Sequence, residues 1–136
     1  MPHMTSTDIA GRIEDLYGLP LADLTSHAET QPPGMLAALL AMHHDLALAE
    51  GSIAVQRDRL TQLVHPDRQI GPHEMSHVLD CTRRLAAAVT VRDVQARTAQ
   101  AVLQSLGRVA EPEPAAAPAL PALTPPVANT GALRSR

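Results

Sequence analysis

From Met35 onward, apolar side chains return at alternating steps of four and three. The series is Met35, Leu39, Met42, Leu46, Ala49, Ile53, Gln56, Leu60 and Leu63. That spacing is a heptad seam, and it predicts a helix pressed against another helix. Gln56 is the one polar member and reads as a register-setting group. A second series follows: Met75, Val78, Thr82, Leu85, Val89, Arg92, Ala96, Ala99, Leu103 and Leu106. Thr82 and Arg92 interrupt it, and Ala88-Val89-Thr90-Val91 is its weakest helical stretch because of β-branching. Between the two series, Pro66 ends the first arm and Gly71-Pro72 opens the second. Gly107 and Pro112 are the expected stop. The pattern therefore predicts a long antiparallel helical hairpin, coiled-coil-like, over residues 34–109. Its arms are about 45 Å long and its bend lies at His65–Gly71.

The ends of the hairpin differ. Every residue from Met35 to Met42 is apolar. A helix apolar all round must be covered on several sides, by the N-terminal segment or by a second copy of the chain. Residues 1–33 offer the first cover. Thr5 and Asp8 have capping-box spacing; Ile9, Ile13, Leu16 and Tyr17 form a stripe; Gly18 ends that short helix. Leu21 to Glu29 reads as a second short helix, and Gln31-Pro32-Pro33 as a stiff connector. Residues 110–136 are rich in proline and alanine and predict a disordered tail. The fold class expected is all-α: two short helices, the hairpin, and the tail.

Composition narrows the picture. Tyr17 is the only aromatic residue, so the core must be built of Leu, Ala, Val and Met. All eleven basic residues are arginine, and the formal net charge is −3. That balance argues against broad binding to phosphate backbones. Residues 1–33 hold Asp8, Glu14, Asp15, Asp23 and Glu29 against Arg12 alone. The helix-turn-helix pattern at residues 8–30 keeps a DNA-binding regulator as an alternative. Its second helix, however, would present Leu21, Ala22, Thr25 and Ser26, none of them basic. Cys81 is the single cysteine, which excludes an internal disulfide and fits a reducing compartment. No signal-peptide pattern opens the chain, and Met35–Met42 is too short to span a bilayer. A cytoplasmic location with no membrane contact is the expectation.

The candidate chemistry clusters near the bend. His73-Glu74-Met75-Ser76-His77 resembles the zinc-binding signature of zincin metallopeptidases. The resemblance implies His73 and His77 as zinc ligands and Glu74 as general base. It covers five residues of 136 and departs from the extended zincin pattern at Asp80 and Arg83, where a glycine and a third histidine would stand. No glutamate that could serve as third ligand follows until Glu111. Apart from any peptidase, His73, His77 and Asp80 share one stripe and His65 lies across the bend. Those four are candidate ligands for a divalent metal such as zinc, nickel or copper. The plainer reading is a solvated, charged helix face. His43 lies opposite Asp93 in such a hairpin, which predicts a contact between them. Cys81 stands one turn after His77 but reads as a small packing residue.

No catalytic residue and no cofactor are assigned from the sequence. The expected function is protein–protein interaction, as a small adaptor or accessory protein that forms a homodimeric four-helix bundle. A zinc-dependent hydrolase using the His73–His77 motif is the alternative from another class.

Overall fold

The structure is a computed structural model, and it describes residues 3–110. Four helices follow one another: α1 (Ser6–Tyr17), α2 (Leu21–Glu29), α3 (Met35–Leu63) and α4 (Pro72–Ala110). Among the described residues there is no strand. No described helix is long and apolar enough to cross a membrane. The proline- and alanine-rich segment expected to be disordered lies outside the described residues from residue 111 on.

The short helices start and stop where their side chains dictate. Thr5 accepts the Asp8 amide and Asp8 accepts the Thr5 amide, a full capping box. The hydrogen bonds to Thr5 hold the Asp8 carboxyl below the usual carboxylate range. At the other end Gly18 takes the left-handed conformation, φ 76°, and its amide donates to the Glu14 carbonyl. Pro20 gives α2 no side-chain cap. Instead the Leu21 amide donates 2.7 Å to Glu14 Oε2, so α1 supplies the anion at the start of α2.

The two long helices make the most extensive contact in the molecule and lie antiparallel. At 1.5 Å per residue, α3 is roughly 43 Å long and α4 roughly 58 Å. The bend is held by the Arg68 amide on the His65 carbonyl, 3.0 Å, and by the Gly71 amide on Glu74 Oε1, 2.9 Å.

The α3 seam matches its predicted series. Leu39, Leu46, Ala49, Ile53, Gln56 and Leu63 are buried. Met35, at its start, is exposed. The α4 seam differs in its first half. Cys81 and Ala88 are buried, whereas Thr82 is exposed and Val89 half-buried. The seam runs 81, 85, 88, 92, 96, 99, 103, buried except at the half-buried Leu85 and Arg92, with two consecutive four-residue steps from Ala88 through Arg92 to Ala96. Such a stutter locally unwinds a heptad, and it shifts the seam by one residue towards smaller side chains. Gly107 does not stop α4, which continues to Ala110. One glycine costs a long helix only about 1 kcal/mol and does not break it.

The largest core forms at the open end of the hairpin. Ile9 and Ile13 of α1, Leu24 of α2, Leu39 and Leu46 of α3, and Ala96, Ala99 and Leu103 of α4 meet there. The N-terminal segment is therefore a cover for the apolar run of α3. Ser6 fixes its position: its amide donates 2.8 Å to Glu50 Oε2, and its hydroxyl donates to Oε1 of the same carboxylate. Glu50 thus satisfies the start of α1 from α3.

Candidate functional site

Two regions of the described surface carry features that packing alone does not use up. One is the face of the hairpin that α1 leaves open. The other is the histidine pair beside the bend.

The open face follows from helical geometry. Glu50, which holds α1, lies about 200° around α3 from Leu48 at 100° per residue. Leu48 and Val55 are seven residues apart, so they share a stripe turned away from α1. Both are 59% exposed. On α4, Val91 and Val94 are 42% and 49% exposed. Gly107, which flanks Arg12 of α1, lies about 160° round from Val91. On the same side of the hairpin a shallow groove of 360 Å³ is lined by Ala49, Ser52, Gln56, Arg84, Ala87 and Val91, so that of the four exposed residues only Val91 borders it. Gln56 is 7% exposed, and its Oε1 has no hydrogen-bond partner. A buried carbonyl oxygen left this way is costly and calls for a donor.

At the bend, His73 and His77 stand one turn apart on α4, with their Nε2 atoms 3.2 Å from each other. Their rings meet edge to face at a centroid distance of 4.5 Å. The pocket beside them, 250 Å³, is lined by Arg59, Gln62, Arg68 and Glu74 among others. Glu74 faces the backbone: its Oε1 accepts the Gly71 amide. That bond, aided by the charges of His73 and Arg68, holds its carboxyl below the usual range.

The remaining predicted ligands are engaged elsewhere. Asp80 pairs with Arg84 at 2.9 Å. His65 Nδ1 accepts the Asp67 amide at 3.1 Å. Among the described residues no group of three His, Cys, Asp or Glu side chains converges as a metal site. The four-residue set His65, His73, His77 and Asp80 is thereby reduced to His73 and His77. The zincin-like motif lies on the first turns of α4, with Glu74 serving as a cap for the bend.

The expected contact between His43 and Asp93 does not form. Asp93 accepts from its own neighbour, Arg92 Nε, at 3.0 Å. The half-buried His43 imidazole is held below the usual histidine range by burial; Glu50 opposes this shift and His44 adds to it. Cys81 is buried in the seam, as a packing residue would be. The exposed positions of α2 include Asp23 and Glu29 and no arginine.

One further cavity, 410 Å³, lies where α1 and α2 meet the start of α3, lined by Tyr17, Leu19, Leu24, Ala28, Met35 and Leu36. Sequence patterning missed both this cleft and the open face. Leu48 and Val55 fall outside the heptad series, and their own seven-residue spacing was the signal available. No protein-family model matches the chain, and neither the curated proteins nor the solved structures contain a match to it.

Proposed function

We propose that this chain is a non-catalytic helical interaction module, a small cytoplasmic adaptor or accessory protein, which pairs with a second copy of itself through the open face of its hairpin. The observation that carries the reading is the exposed apolar set Leu48, Val55 and Val91 on the side of the hairpin that α1 leaves open, beside a groove that Val91 and Gln56 help to line.

Size supports a second hairpin as the occupant. The open side of the hairpin is about 43 Å long and two helices wide, about 20 Å, or roughly 850 Å² in outline, and its exposed apolar part from Leu48 to Val55 occupies about 10 Å of that length. A standard stable interface takes about 800 Å² from each partner. A copy of the same hairpin has the matching length and the same apolar stripe, and two of them make a four-helix bundle. The buried single cysteine fits the reducing compartment proposed.

Sedimentation equilibrium of the full chain tests this. The 14.4 kDa chain is expected to give a dimer mass, and Leu48→Glu with Val91→Glu to return it to monomer with its helix content unchanged. A parent that stays monomeric up to the highest concentration it tolerates overturns the self-pairing.

A further inference from the structure

The histidine pair is separate from the open face and makes its own case. At 3.2 Å the two Nε2 atoms are within hydrogen-bond distance, one ring donating and the other accepting according to tautomer. At least one lone pair is thus aimed into the gap between the rings. A metal ion bound to imidazole sits about 2.0–2.1 Å from nitrogen. Two nitrogens 3.2 Å apart then subtend about 100° at the metal, between the square and tetrahedral angles. The two Nε2 atoms already lie at a chelating separation, because both are borne by consecutive turns of one helix, and binding needs only that the donating ring carry its proton on Nδ1 instead. His73 is exposed and His77 half-buried, so an ion reaches the pair from solvent without opening the fold.

We propose that His73 and His77 chelate a divalent late transition-metal ion, copper(II), nickel(II) or zinc, through their Nε2 atoms. Two protein ligands leave the other coordination positions to water, which makes the site labile and open. Copper binds tightest, nickel and zinc less so, and magnesium and calcium not at all, since neutral imidazole is a poor ligand for hard cations. Glu74 stays on the Gly71 amide and Asp80 on Arg84, so neither completes a closed cage. Arg59 and Arg68, which line the adjoining pocket, place positive charge nearby and reduce the affinity for a cation. The same two arginines with protonated histidines would favour an anion, and the rival is separated by charge removal.

The experiment is calorimetric titration of the full chain, near neutral pH in a non-coordinating buffer, with copper(II), nickel(II), zinc and magnesium chlorides and separately with inorganic phosphate. One equivalent of copper is expected to bind. His73→Ala and His77→Ala are each expected to weaken it at least tenfold, while His44→Ala leaves it unchanged. Arg59→Gln is expected to tighten metal binding severalfold. Far-ultraviolet dichroism checks that each variant keeps its helices. Equal affinity of parent and His73→Ala overturns the proposal, as does phosphate binding that displaces the metal and disappears in Arg59→Gln.

Discussion

Replacing Gln56 by methionine should make the isolated chain more stable. Gln56 sits in the α3 seam with 7% of its surface exposed, and its Oε1 is sealed from solvent without a donor. A buried, unsatisfied acceptor costs about 1–3 kcal/mol. Methionine has nearly the same length and shape, keeps the groove floor filled, and carries no such oxygen. Methionine and glutamine lose comparable rotamer freedom on burial, so that cost largely cancels in the exchange. A net stabilisation of about 1–2 kcal/mol follows, which raises the melting temperature by about 4–8 °C per kcal/mol in a domain of this size. The assay is thermal and urea unfolding followed by far-ultraviolet dichroism, at low protomer concentration where a single chain predominates. A variant no more stable than the parent at the lowest concentration would show that Oε1 already finds a donor within its own chain, and the reasoning from the groove would fail.

Three other outcomes follow from the same structure. Leu39→Ala, at a fully buried position in the four-helix core, should cost about 3–5 kcal/mol, whereas Leu48→Ala on the open face should cost under about 0.5 kcal/mol at low concentration; urea midpoints compare the two. Gly18→Ala should cost about 1–2 kcal/mol from the left-handed backbone alone, because an added Cβ would meet nothing within 4 Å; a neutral result in the same urea assay would contradict the αL cap. Burial lowers the folded-state pKa of His43 below its unfolded value, so the folded chain binds fewer protons there than the unfolded one. That contribution is complete above about pH 6.5 and is lost as the pH falls below it. His43→Gln should therefore flatten the fall in urea midpoint between neutral and mildly acidic pH, and an unchanged slope would refute this assignment.

Much of the architecture was readable from spacing because helices repeat their buried positions with few exceptions. Thr5, Asp8 and Gly18 bounded α1, and Pro66 with Gly71-Pro72 located the bend, each through a specific backbone constraint. The α4 seam was misread at Thr82 and Val89 because a strict heptad has no place for a stutter. The exchange to Cys81 and Ala88 depends on how closely α3 approaches, which lies outside any one helix's own periodicity. At the bend, four ligating side chains near one another in sequence were reduced to two. Local partners one to four residues away, such as Arg84 for Asp80 and the Asp67 amide for His65, compete for them first. The opposition of His43 and Asp93 failed for the same reason, with Arg92 the nearer partner. The open face was invisible to a search for core positions, since it is defined by what α1 does not cover.

Tyr17 has a practical consequence. It is the sole aromatic side chain of the protein and it lines the cleft where α1 and α2 meet the start of α3. Its ultraviolet absorption and emission come from that one junction, with no tryptophan to obscure them. A detachment of the two short helices that left the long pair intact would register in the phenol signal while the peptide dichroism barely moved. The chain thus carries a native optical label for the docking of its own lid of helices.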